Sequence, residues 1–267
     1  MTTATVNWTE QILDVADTKL ELLKGGTGDP LLILHGEMGH PGRLRYHETL
    51  AQRRTLYMPS HPGFGRSQRL DWIMTMRDLA GWYLRALDEL ALDQVDVIGF
   101  SLGGWLAAEM AAMSPRHFKK MVLVSPQGIR PSRGEIFDMF LVVAREYLEE
   151  GFHDPEAVDE FKTVLPDEPS KEQAEAWEVA REEACRLSWR PYMHDPALPD
   201  LLRRLKNLPT LLLWGKEDTV VPPSAGEVYR DSIQGARLVL LDACGHHPEI
   251  ERTDEFLKLT ETFLRDA

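Results

Sequence analysis

The sequence is short of cysteine, of basic charge and of long apolar runs, and each shortage removes a class of protein. Its two cysteines, Cys185 and Cys244, make no Cys-x-x-Cys pair, so neither a disulfide framework nor a thiol redox motif is expected. Two free thiols is the favoured reading, with a Cys185–Cys244 bridge as the open alternative. Lysine and arginine number 30 against 43 aspartates and glutamates, a formal net charge of −13. A nucleic-acid partner would need a positive face, and an anionic membrane surface would repel this one. Apolar runs such as Leu31–Leu34 and Leu211–Trp214 are far too short to span a bilayer, so no membrane insertion is expected. The stretch from Met1 to Trp8 has no basic cluster followed by an apolar segment. A signal peptide is therefore not expected, and a cytoplasmic monomer or homodimer is. No zinc-type ligand spacing, Walker loop or Gly-x-Gly-x-x-Gly occurs, so neither a metal nor a cofactor is implied.

What is present is the pattern of an α/β protein. The 267 residues suffice for one large domain with a sizeable core. Ile12, Leu13 and Val15, then Ala16-Asp17-Thr18, then Leu20, Leu22 and Leu23 read as an N-terminal hairpin. Short apolar runs follow at Leu31–His35, Thr55–Met58, Val95–Phe100, Met121–Ser125, Thr210–Trp214 and Leu238–Leu241, as expected of strands buried on both faces. Helical spacing lies between them at Met76–Leu90, Leu102–Met113 and Thr253–Leu264. The alternation predicts an open, doubly wound, mostly parallel sheet. Residues 129–205 interrupt it with helical patterns, including Phe137–Leu148 and Lys171–Leu187, and no strand. This segment reads as a helical insertion in a core made of residues 1–128 and 206–267.

The most informative segment is Gly99-Phe-Ser101-Leu-Gly103-Gly104, between a strand run and a helical run. A serine on a sharp strand-to-helix turn has its hydroxyl thrust out of the sheet, and the flanking glycines let the neighbouring backbones pass. The helix that follows aims its free N–H groups at the place where acyl transfer develops negative charge. Such a serine needs a base, and the base an orienting acid. In this fold they follow in the order Ser, Asp or Glu, His, which Ser101, Asp218 and His246 satisfy just past strand ends.

With these residues, the chain resembles the α/β-hydrolase superfamily through almost its whole length. Four more segments match in type and order: His35-Gly36-Glu37, Pro62-Gly63-Phe64-Gly65-Arg66-Ser67, Gly215-Lys-Glu-Asp218 with Pro222, and Gly245-His246. The resemblance favours Asp218 over Glu217 and His246 over His247. It implies that the insertion is a cap over the site, and that an oxyanion hole forms from the backbone N–H groups of Glu37 and Leu102. A carboxylate aimed at an oxyanion would repel it, so the Glu37 side chain is expected to point away, toward Arg43, Arg45 or Arg66. The alternative is contact with the polar end of the substrate. Phe137, Met139, Phe140, Trp177 and Trp189 are the candidate pocket residues of the cap.

The resemblance implies a serine hydrolase, with a small-to-medium carboxylic ester as the simplest substrate. Hydrolytic carbon–carbon cleavage, perhydrolysis or acyl transfer in the same site, and a small-molecule receptor with slow turnover are the alternatives. A serine in the elbow argues against the branches of the superfamily that use an aspartate nucleophile.

Overall fold

Two residues with left-handed backbone close the first hairpin. Ala16 and Asp17 take φ of 49° and 59°, a combination that matches the twist of paired antiparallel strands. Strands β1 (Trp8–Val15) and β2 (Thr18–Gly25) run from this turn. The computed structural model describes residues 6–265; residues 1–5 and 266–267 lie outside the described residues, and with them most of the N-terminal stretch read for a signal peptide.

The remaining strands are β3 (Asp29–Leu34), β4 (Arg54–Pro59), β5 (Val95–Phe100), β6 (Phe118–Val124), β7 (Thr210–Gly215) and β8 (Arg237–Leu241). They join the hairpin in one eight-stranded sheet of order β1-β2-β4-β3-β5-β6-β7-β8. β2 meets β4 antiparallel, and every pairing beyond β4 is parallel. This is the mostly parallel sheet with an N-terminal hairpin that the alternation predicts.

The helices are α1 (Arg45–Leu50), α2 (Met76–Glu89), α3 (Leu102–Met113), α4 (Ala144–Glu150), α5 (Phe161–Val164), α6 (Lys171–Ser188), α7 (Leu198–Leu202), α8 (Pro223–Ser232), α9 (Pro248–Glu251) and α10 (Thr253–Arg265). Alternate residues along each inner strand feed two cores, because successive side chains point to opposite faces. Leu32, Leu34, Val97 and Leu123 meet α2, α3 and α8. Leu31, Ile33, Ile98 and Val122 meet α1 and α10. α2 starts on a reciprocal cap, in which Thr75 Oγ1 accepts from Asp78 N at 3.1 Å and Asp78 Oδ2 accepts from Thr75 N at 3.0 Å.

Between β6 and β7 the described residues form no strand, only α4 to α7, one 3-10 turn at Pro155–Ala157 and an isolated bridge from Gly128 to His194. The expected helix over Phe137–Leu148 is corrected to Ala144–Glu150. The Phe137 N–H is donated to Val220 O at 2.8 Å, and Asp138 Oδ1 turns back to accept from Phe140 N at 2.9 Å. Phe137 is thereby tied to the loop after β7, and Asp138 closes a local side-chain turn in place of a continuing helix. α7 packs on α3, so the end of the insertion lies along the core.

Under the loop after β3, His35 stacks on His61 with ring centroids 3.7 Å apart. His61 N donates to His35 Nε2 at 2.9 Å, His61 Nε2 donates to His35 O at 3.1 Å, and Tyr83 OH donates to His61 Nδ1 at 2.6 Å. These partners assign neutral tautomers to both rings. Burial pushes His61 down to about 3 and holds His35 and His47 well below the usual imidazole range. In the unfolded chain the same groups titrate near ~6.5. Below that pH the unfolded state takes up protons that the folded state refuses, so stability falls, by up to ~1.4 kcal/mol per pH unit for each histidine. Urea unfolding between pH ~7 and ~5, above the main carboxylate range, should give a midpoint that drops with constant m. A level midpoint would mean that these rings charge freely in the folded protein.

Candidate active site

The turn after β5 places Ser101 in a conformation that few non-glycine residues accept, φ 46° and ψ −111°. The backbone around it is interlocked. A Cβ on Gly99 would lie 2.4 Å from Gly103 O, and one on Gly103 would lie 2.2 Å from Leu34 O. Glycine at these two positions lets β5, α3 and β3 approach closely enough to form the turn. Ser101 N donates to Val124 O at 2.9 Å, and Ser101 O accepts from Gly104, Trp105 and Gln127 N–H at 3.0 to 3.1 Å. The hydroxyl is thus presented from a backbone with almost no slack.

Two further loops converge on it. His246 Nε2 lies 2.8 Å from Ser101 Oγ, and His246 Nδ1 lies 2.9 Å from Asp218 Oδ2. All three residues are buried. The second Asp218 oxygen accepts from Val220 N at 2.9 Å and Val221 N at 2.8 Å, which fixes the carboxylate plane. Glu217 faces elsewhere, accepting from Cys244 N at 2.9 Å. Glu251 braces the histidine loop, with Oε1 accepting from Gly245 N at 2.9 Å and His247 N at 3.3 Å. Burial alone would disfavour a charged His246, but the Asp218 charge and hydrogen bond, followed by Glu37 and Glu249, outweigh it and push the imidazole up to about 9. Ser101, His246 and Asp218 therefore form one relay in which a proton on the imidazole is strongly held.

The Glu37 side chain departs from expectation. It does not reach an arginine. Arg43 pairs with Glu48, Arg45 with Asp254, and Arg66 with Glu10 and Glu21. Instead Glu37 is buried in the site, and Leu102 N donates a long hydrogen bond of 3.4 Å to its Oε2. Tyr147 of α4 lies close enough to feel the same carboxylate, whose charge adds to burial in holding the phenol well above its usual value, and Gln127 Nε2 donates to Tyr147 OH at 3.1 Å. The physical reason is local supply: these donors lie over the elbow, whereas the three arginines already have acidic partners. The Glu37 N–H itself meets no acceptor among the described residues.

A cavity of about 600 Å3 opens in front of Ser101. Tyr46, Phe100, Leu148, Val164, Trp177 and Ile250 supply much of its apolar wall. Of the five cap residues expected to line a pocket, only Trp177 does so. Met139 and Phe137 pack into the core, while Phe140 stacks on Tyr192 and Trp189 meets the same ring edge-on, leaving Trp189 53% exposed. Aromatics at helical spacing can serve either face of an insertion, and here most serve its own packing. Sequence reasoning missed Tyr147, which sat in the misplaced helix, and Ile250, whose only signal was its nearness to His246. Cys185 and Cys244 are both free, Cys244 buried beside the histidine loop. Elsewhere Asp88, Asp93 and His117 place ligand-type atoms within 4.8 Å of one another, where His117 Nε2 pairs with Asp88 at 3.0 Å.

The chain is similar to known proteins along nearly its whole length. The model of the alpha/beta hydrolase family matches residues 31–259. The chain is 27% identical to 2-hydroxymuconate semialdehyde hydrolase of Pseudomonas putida, covering 91% of this chain and 89% of that protein. It is 28% identical to pimeloyl-[acyl-carrier protein] methyl ester esterase of Nitrosomonas europaea, covering 87% of this chain and 94% of that protein. In structure it is similar to a bacterial membrane phospholipase A, with TM-score 0.82 and 26% identity over 97% of this chain and 87% of the other. It shares its fold with 2-hydroxy-6-oxo-6-phenylhexa-2,4-dienoate hydrolase of Rhodococcus sp. strain RHA1, with TM-score 0.79 and 21% identity over 98% of this chain and 100% of the other. The chain belongs to the alpha/beta hydrolase family.

Proposed function

We propose that the protein is a serine hydrolase that cleaves a small-to-medium carboxylic ester through an acyl-enzyme on Ser101. The observation that carries this reading is the buried relay, with 2.8 Å from Ser101 Oγ to His246 Nε2 and 2.9 Å from His246 Nδ1 to Asp218. Once neutral, His246 takes the Ser101 proton as Oγ attacks the carbonyl carbon. The carbonyl oxygen gains charge and is met by the N–H groups of Leu102 at the helix start and of Glu37 in the loop after β3. Collapse expels the alcohol, which leaves with the proton held by His246. Water then attacks the acyl-enzyme, with His246 again as base, and frees the acid. Asp218 holds the ring in the tautomer this requires and stabilises its charged form. Residues 129–205 act as a cap, supplying Tyr147 and Trp177 to the cavity wall above the core.

Carbon–carbon hydrolysis is the second reading, favoured by the likeness to a semialdehyde hydrolase and to a hydrolase named for a dienoate. The charges of the cavity weigh against it. Glu10, Glu21, Glu37 and Glu249 line it, and of these Glu37 and Glu249 have no lysine or arginine partner among the described residues, whereas Glu10 and Glu21 pair with Arg66. A carboxylate-bearing substrate meets net repulsion there, whereas a neutral ester does not.

Turnover of chromogenic esters by wild type and variants tests the proposal, alongside titration with a fluorophosphonate. Ser101→Ala should lower kcat by about a million-fold and abolish labelling, with unchanged unfolding. Asp218→Asn should cost about ten-thousand-fold. Glu217 should not rescue it, since its carboxylate is engaged with the Cys244 N–H. If a dienoate ketone is hydrolysed by a Ser101-dependent route while no ester is, the ester assignment fails and the carbon–carbon reading replaces it.

The pH profile supplies an independent check. The base form of His246 appears only as pH rises through about 9. The kcat/KM of the free enzyme should therefore climb on the alkaline side, with a limb near that value. A plateau already reached at pH ~7 would place the working imidazole in the ordinary histidine range and remove the argument for a strongly held proton.

A further inference from the structure

The Glu37 carboxylate occupies the N–H that an acyl oxygen needs. Leu102 N points at Glu37 Oε2 at 3.4 Å, and Tyr147, held by Gln127 at 3.1 Å, lines the same cavity. The group is buried, and no lysine or arginine pairs with it among the described residues. Its charge acts on the imidazolium of His246, the charge that catalysis must remove. A carbonyl oxygen seated at Leu102 N would displace the carboxylate and then develop negative charge beside it. In a buried site that repulsion is poorly screened.

On the serine-hydrolase reading above, we propose that Glu37 determines specificity. It disfavours neutral and, more strongly, anionic acyl groups at the oxyanion site and favours esters whose acyl chain carries a protonated amine within two carbons of the scissile carbonyl. Such an ammonium pairs with the displaced carboxylate, so the carbonyl can take the Leu102 N–H without an unpaired charge beside it. Glu249 adds to the lining a second carboxylate without a lysine or arginine partner among the described residues, while Glu10 and Glu21 are paired with Arg66 and Arg43 with Glu48.

Pairing has a second effect. The groups facing His246 are Asp218 from the loop after β7, Glu37 from the loop after β3, Tyr147 from α4, Glu249 from α9, Ser101 from the elbow and His247 beside it. Neutralising Glu37 withdraws one of the carboxylates that keep the imidazole protonated. The right substrate thereby releases the base that attacks it.

The test compares two esters of one chromogenic alcohol, the β-aminopropanoyl and the butanoyl, which differ by ammonium against methyl. It is repeated with a pair of fluorophosphonates that carry the same two chains. Wild type should favour the amine-bearing member by at least about tenfold, in kcat/KM and in labelling rate. Glu37→Gln, of the same shape, should bring both ratios to about one and raise the butanoyl rate. Its alkaline limb should also move to lower pH. Glu37→Asp, which keeps the charge, should retain a preference. If wild type hydrolyses or is labelled through Ser101 with no preference, or Glu37→Gln keeps it, the serine reading stands and the role of Glu37 is overturned. If no ester is cleaved and no probe labels Ser101, the serine reading falls and takes this inference with it.

Discussion

The hydrogen-bond distance of 2.8 Å between Ser101 and His246 joins residues 145 positions apart, and the fold is arranged around keeping it. β5, β6, β7 and β8 pair in parallel order, so the loops that leave their C-terminal ends emerge at one edge of the sheet. Ser101 leaves β5, Asp218 follows β7, and His246 follows β8. The histidine loop is also tied to the insertion, since His246 N donates to Gly151 O at 2.7 Å and Glu251 accepts from His153 N at 2.8 Å. The imidazole is therefore positioned from the sheet on one side and from the α4 end on the other. Movement of the insertion would pull directly on the ring.

Holding a serine at φ 46° costs on the order of 1–3 kcal/mol. The helix that follows explains why the turn persists. Every residue of α3 except Met113 is buried, and Trp105, Leu106 and Met110 fill the space between the sheet, α2 and α7. Burial of one such side chain contributes about 1.5–3 kcal/mol, so the packing of α3 outweighs the strain at its first turn. Relaxing the serine would mean withdrawing the helix.

The elbow was legible in the sequence because its physics is local: a strand run, small residues two positions either side of a serine, and a helical run. Asp218 and His246 were legible for a similar reason, each standing at a fixed distance from a glycine that ends a strand loop. The direction of Glu37 was not. It depends on Tyr147, far along the chain, and on arginines whose partners Glu10, Glu48 and Asp254 are set by tertiary packing. The cap lining was illegible on the same grounds. Trp177 and Trp189 lie on and just beyond the same helix, yet one faces the cavity while the other joins Phe140 and Tyr192 in an outer cluster. Periodicity shows that a face is apolar, not which neighbour it meets.

The carboxylates around His246 also couple catalysis to stability. Held at about 9, the imidazole lies above its unfolded value of ~6.5. The folded state thus binds a proton more tightly than the unfolded one. That contribution is fully present below the unfolded value and is lost as pH rises through about 9. The base needed to deprotonate Ser101 is the form in which that stabilisation is gone. His35, His47 and His61 act in the opposite sense, since burial keeps them neutral and they destabilise the fold as pH falls. Two groups of histidines within one loop cluster therefore set two edges. The stacked, uncharged pair under the loop after β3 penalises acid, and the charged ring over the serine penalises alkali. The chemistry proposed for Ser101 lies against the alkaline edge, where the site becomes reactive by giving up part of what holds it together.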